Sequence, residues 1–128
     1  MKDQDKTFLV VDDEQDMCWA LEHMLKKNGF LSKKALNGRE ALTLMEPNRF
    51  RLVLLDAKLP DIDGLELARL IRRIDPSVGI VMISGYFYGD DEGIQQALAE
   101  GLISGFIAKP FRHDEIMKVI QIARSSFS

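Results

Sequence analysis

The sequence predicts an α/β domain built on a parallel β-sheet with helices on both faces. Two observations carry that prediction. Short apolar runs recur along the chain, too apolar to be half-exposed, and between them lie stretches with apolar residues at helical spacing. Strands alternating with helices imply βαβ units and right-handed crossovers. A third observation is size: 128 residues suit a single domain, which can bury a core without disulfides or a structural metal.

The elements follow in order. Thr7–Val11 is a β-branched apolar run of the kind buried on both faces. Met17, Leu21, Met24, Leu25 and Asn28 then follow i, i+4, i+7, i+8, i+11, and Asn28-Gly29 stops that helix. Phe30–Leu36 is strand-like but carries Ser32, Lys33 and Lys34, which suits an edge strand. Gly38–Glu46 is helical through Ala41, Leu42 and Met45, and Leu52–Leu55 is a buried strand. Leu65–Ile74 is helical through Leu67, Ala68, Ile71 and Ile74, and ends at Asp75-Pro76. Gly79–Ile83 is the fourth strand. Asp90–Gly101 is a helix carrying Ile94, Ala97, Leu98 and Gly101 on one stripe. Gly105–Ala108 is the last strand, and His113–Ser125 a helix through Ile116, Val119, Ile120 and Ala123. No repeat, linker or low-complexity tract interrupts the pattern, so residues 1–128 read as one domain.

Composition removes several classes of function. Hydrophobic residues make up 46% and charged residues 29%, which is globular rather than disordered. The longest apolar runs, such as FLVV and LVLL, are far short of the ~20 residues of a membrane span. A net charge of −3 argues against nucleic-acid binding. Cys18 is the one cysteine, which excludes an internal disulfide, and the opening MKDQDK is no signal peptide. The expected compartment is the cytoplasm.

In an open α/β sheet, ligands bind beyond the carboxyl ends of the strands. The first strand runs into Asp12-Asp13-Glu14, the third into Asp56, the fourth into Ser84-Gly85 and the fifth into Lys109-Pro110. Any one of these is an ordinary polar residue of a loop. Together they bring three aspartates, a hydroxyl and a lysine to one edge. Clustered carboxylates repel, and a hard cation such as Mg²⁺ relieves the repulsion. A carboxylate beside Mg²⁺ is suited to attack a phosphoryl group, while lysine and hydroxyl hold its oxygens.

The stretches FLVVDDE, LVLLDAKLPDIDG, VMISGY and FIAKPF, in that order and spacing, resemble the receiver domain of two-component response regulators. The resemblance covers residues 6 to 123 and implies a flavodoxin-like, doubly wound (βα)5 fold with strand order 2-1-3-4-5. It implies that Asp56 is the phospho-acceptor, supplied by a sensor histidine kinase or a histidine phosphotransfer protein. It also implies that Asp13 binds Mg²⁺ directly, that Asp12 acts through metal-bound water, and that the Lys58 backbone carbonyl is a further ligand. Ser84 and Lys109 then meet the phosphoryl group, Phe106 is the aromatic switch residue, and Pro110 follows a cis peptide bond. Lys58 itself and Phe106 in place of tyrosine depart from the commoner pattern, as does the aromatic loop Gly85-Tyr86-Phe87-Tyr88-Gly89. The output face implied is the fourth helix, fifth strand and fifth helix.

Weaker signals have plainer readings. Asp61-Ile62-Asp63-Gly64 superficially matches a calcium loop but lacks its third acid and its closing glutamate, so these aspartates shape a turn. Cys18 borders an apolar helix face and is a core residue, and His113 is a surface or cap residue. Trp19 lies ~200° around the first helix from Met17, on the outer face with His23 and Lys26, where a tryptophan either marks a contact surface or folds flat over surface aliphatics. Trp19, Tyr86, Phe87 and Pro110 are the candidates for partner docking. Two competing functions are a receiver-like interaction module that is never phosphorylated, and a Mg²⁺-dependent phosphohydrolase. The intact aspartate, serine and lysine set opposes the first, and nothing beyond the site suggests a substrate pocket for the second.

Overall fold

In the computed structural model, residues 7–85 and 92–125 are described. Five strands alternate with five helices: β1 (Thr7–Val11), α1 (Gln15–Lys27), β2 (Leu31–Ala35), α2 (Gly38–Met45), β3 (Leu52–Asp56), α3 (Gly64–Ile74), β4 (Gly79–Ser84), α4 (Glu92–Ala99), β5 (Gly105–Ala108) and α5 (His113–Ser125). All pairings are parallel, in the order β2-β1-β3-β4-β5. The fold expected from the sequence is the fold observed.

Period-two alternation divides the core into two layers. Leu9, Val11, Val53, Leu55, Ile80 and Met82 face one way and pack with Ala41 of α2, Leu67 and Ile71 of α3, and Ile94 of α4. Phe8, Val10, Leu52, Leu54, Val81 and Ile83 face the other way, onto Cys18 and Leu21 of α1 and Ile116 and Ile120 of α5. The central strands β3 and β4 are buried along their whole length, and β2 is exposed at Leu31, Lys33 and Lys34. That is why the inner runs read as purely apolar and the edge does not.

Element ends depart from expectation in ways that matter. β3 and β4 each run one residue further, because Asp56 pairs with Ile83 and Ser84 with Ala108 in the sheet. Both polar side chains therefore stand on hydrogen-bonded strand rather than on loop. Gly101 does not extend the apolar stripe of α4. It closes the helix at φ 76°, with its N–H and that of Leu102 donating back to Leu98 and Ala97. The expected start of α4 at Asp90, like Tyr86 and Phe87, lies outside the described residues. No described helix is long and apolar enough to cross a membrane.

Candidate functional site

The carboxyl ends of β1, β3, β4 and β5 lie side by side in a parallel sheet, so the residues there converge. The β1–α1 turn is tied down by the Asp12 N–H donating to the Ala35 carbonyl at 3.1 Å, and the Glu14 N–H to Asp12 Oδ1 at 2.9 Å. Cys18, fully buried beneath it, donates its thiol to the Asp12 carbonyl at 3.3 Å. Burial, then the charge of Asp12, pushes that thiol up to about 11, so it stays protonated and structural. Just past β3, the N–H of Lys58 donates to Asp56 Oδ1 at 3.3 Å.

A carboxylate oxygen from each of Asp12, Asp13 and Asp56 lies within 4.8 Å of the others. Asp12 and Asp56 are buried and Asp13 is exposed. Lys109 reaches in from the end of β5, its Nζ 3.1 Å from Asp12 Oδ2 and 3.8 Å from Asp56 Oδ2. Its backbone N–H donates to the Ser84 carbonyl at 2.6 Å, so the lysine and the buried serine are set by one contact between β4 and β5.

The charges are not balanced. Burial, then the neighbouring charge of Asp12, pushes the Asp56 carboxyl up to about 6, against the Lys58 N–H and Lys109. Burial alone would lower the Lys109 ammonium, but the hydrogen bond and charge of Asp12, with Asp56 and Glu14, hold it above the ordinary lysine range. Three carboxylates facing one ammonium form a donor set of hard oxygens short of positive charge. That set fits a Mg²⁺ ion.

Of the residues singled out in the sequence, Asp12, Asp13, Asp56, Lys58, Ser84 and Lys109 are brought to this edge. Phe106 is half-buried in β5, packed against the α2–α3–α4 layer with its backbone opposite Met82. Pro110 is exposed, and the Lys109–Pro110 peptide bond is cis. Trp19 is 67% exposed on α1.

Four further contributors have roles that only the folded chain shows. Glu14 reaches Lys109 Nζ at 3.5 Å, a contact that only the folded β1–α1 turn creates. Asp61 accepts the N–H groups of Gly38 and Arg39 at 2.9 and 3.0 Å, capping α2 from 22–23 residues away. Asp63 caps its own helix, accepting from Leu65 and Glu66. Gly64 packs so tightly that a Cβ there would lie 2.7 Å from the Ala57 Cα and 2.9 Å from the Asp56 carbonyl oxygen. The Asp-x-Asp-Gly spacing carried a signal for the last three, read only as a turn.

An open parallel sheet with an acidic cluster and a lysine at its carboxyl edge defines a phosphoryl-handling α/β domain. Residues 8–121 match the family described as the response regulator receiver domain. The chain belongs to that family, and is thus a phospho-acceptor signalling domain of two-component systems. It is 34% identical over 113 residues to sporulation initiation phosphotransferase F of Bacillus subtilis, covering 88% of this chain and 89% of that protein. It is 35% identical over 117 residues to the nitrogen assimilation regulatory protein NtrX of Azorhizobium caulinodans, covering 90% of this chain but only 25% of NtrX. The response regulator protein TrrA of Thermotoga maritima, solved in complex with Mg(2+)-BeF, is similar with a TM-score of 0.80 and 30% identity over 92% of this chain and 98% of TrrA.

Proposed function

We propose that Asp56 accepts a phosphoryl group from a phosphohistidine on a sensor histidine kinase or histidine phosphotransfer protein. In the transfer, an Asp56 carboxylate oxygen bonds to phosphorus while the phosphorus–nitrogen bond to the donor imidazole breaks, leaving neutral histidine after proton uptake. Asp13 and Asp56, the Lys58 carbonyl, and Asp12 through water would hold Mg²⁺. When bound, that ion offsets carboxylate repulsion and the charge of one phosphoryl oxygen.

The chain's own groups supply the rest. Lys109 already sits by Asp56 and is held protonated, so it is ready to pair with a second phosphoryl oxygen. The Ser84 hydroxyl serves the third, and its shift opens space for Phe106, altering the α4–β5–α5 face presented to a target. Pro110, exposed beside Lys109, borders the surface a donor must cover. In this reading the chain acts on no outside substrate, binds no nucleic acid, works in the cytoplasm, and forms one domain with its core over residues 6–123.

The observation that carries the reading is the meeting of Asp12, Asp13 and Asp56 within 4.8 Å, beside Lys109. Intact mass after incubation with acetyl phosphate and Mg²⁺ tests it. The wild type should gain one phosphoryl group and Asp56→Asn none, because an amide does not attack phosphorus. An adduct on Asp56→Asn, or none on the wild type, would overturn the assignment.

A further inference from the structure

Away from the acidic edge, α1 and β2 enclose a groove of about 420 Å³ lined by Trp19, Glu22, His23, Lys26, Phe30, Leu31 and Ser32. Trp19 stacks on His23 with ring centroids 5.0 Å apart and planes 5° from parallel. Leu31 beside them is 54% exposed. An indole and a leucine this open at one groove form the kind of apolar patch that marks a contact surface.

Charge selects what fits there. The whole chain has a net charge of −3, yet residues 23–36 hold four lysines and no carboxylate. Glu22, the one acid lining the groove, accepts the Ser32 hydroxyl at 3.2 Å. Lys26 lines the groove, and strand alternation puts Lys34 on the same side of β2 as Ser32. Lysines along an edge strand discourage the addition of another strand, so a β-strand is the wrong occupant. An amphipathic helix, with acidic residues around an apolar anchor, matches both the groove and its field.

The groove also faces away from the chemistry. Leu31 pairs with Thr7 at the start of β1, whereas Ala35 pairs with Val11 at the acidic edge. Four residues of strand make that separation ~13 Å, and α1 carries His23 and Lys26 in the same direction.

We infer that the α1–β2 groove docks an acidic amphipathic helix of a partner protein, anchored by an apolar side chain on Trp19 and Leu31, whether or not Asp56 is phosphorylated. This deepens the receiver reading, naming a partner surface that stays available throughout phosphoryl transfer.

The test is selection from a random peptide display library on the wild-type protein, followed by binding of the enriched peptides read through the fluorescence of Trp19, the only tryptophan. Enriched peptides should be acidic with apolar residues at helical spacing. Trp19→Ala, read by surface-immobilised binding, and Lys26→Glu/Lys34→Glu should each weaken them about tenfold or more. Beryllofluoride with Mg²⁺, and Asp56→Asn, should leave affinity unchanged, so this result stands or falls apart from the acceptor assignment. No enrichment, enrichment of neutral or basic peptides, or equal binding to Trp19→Ala would overturn the proposal. Loss of binding with beryllofluoride would overturn it too, as would a concentration-dependent dimer lost in Trp19→Ala, which would make a second copy the occupant.

Discussion

The end of β3 and the loop that follows it each carry an aspartate, and the two meet opposite electrostatic environments. Asp56 is 7% exposed, and burial with the charge of Asp12 lifts its carboxyl to about 6. Asp61 is exposed, and the N–H groups of Gly38 and Arg39 that it accepts hold its carboxyl below the ordinary range. The first region concentrates charge without enough counter-charge. The second has donors aimed at its charge. A binding site for a cation and a phosphoryl group needs the first arrangement, and a rigid frame needs the second. Gly64 joins them, since its backbone lies against Asp56 and Ala57 while the neighbouring Asp63 caps α3.

The largest effect expected comes from breaking that junction. Gly64→Ala places a methyl against backbone that cannot move aside, so thermal melts should show a loss of about 2–3 kcal/mol. Phosphorylation by acetyl phosphate should fall as well, because the displaced backbone is that of Ala57 and of Asp56 itself. A variant as stable as the wild type would mean the two regions are not coupled through this packing.

Next comes the charge on Asp56 itself. Its carboxyl titrates near 6 when folded and near 4 when unfolded, so between those values the native state holds the extra proton. Stability should therefore fall as pH rises through that window, with the penalty complete above it. In EDTA at neutral pH, Asp56→Asn should be more stable than the wild type by about 2 kcal/mol. Below about pH 4 the two should converge. An equal difference at both pH values would point to packing rather than charge.

Asp13→Asn sharpens the same contrast from the exposed side of the cluster. Without metal it should melt higher than the wild type by about 1 kcal/mol, since repulsion is relieved. Mg²⁺ at ten times its dissociation constant should stabilise the wild type by about 1.4 kcal/mol and this variant hardly at all. Melts in EDTA and in Mg²⁺ at matched ionic strength read both differences, and a wild type indifferent to Mg²⁺ would remove the metal from the site.

The smallest effect belongs to Asp61. Asp61→Asn keeps an acceptor oxygen but loses the charge favoured by two N–H groups at the start of α2. Its melting temperature should lie slightly below the wild type at neutral pH. The gap should close as acid protonates the native carboxyl, because a lowered carboxyl contributes stability above its ordinary range and loses it below. A gap that widens in acid would reverse the assigned sign.

The sequence by itself determined the order of strands and helices, the two-sided burial of β1, β3 and β4, and the chemistry at the strand ends. It could do so because burial on both faces leaves a local mark, an unbroken apolar run, and a turn leaves another. The motifs at Asp12-Asp13, Asp56, Ser84 and Lys109 were legible for the same reason, each lying directly beside such a run. Tertiary structure alone decided what depends on neighbours distant in sequence. Pairing with Ile83 and Ala108 put Asp56 and Ser84 inside the sheet rather than beyond it. The crossing of the β3–α3 loop over α2 turned Asp61 into the cap of a helix begun 23 residues earlier. Closure of β5 onto β4 brought Lys109 within reach of Glu14, 95 residues before it. Hydrophobic burial is patterned residue by residue, but a charge finds its partner only after the chain has closed, which is why the crowding of carboxylates at the edge was legible in the sequence and the Lys109–Glu14 pair and the Asp61 cap were not.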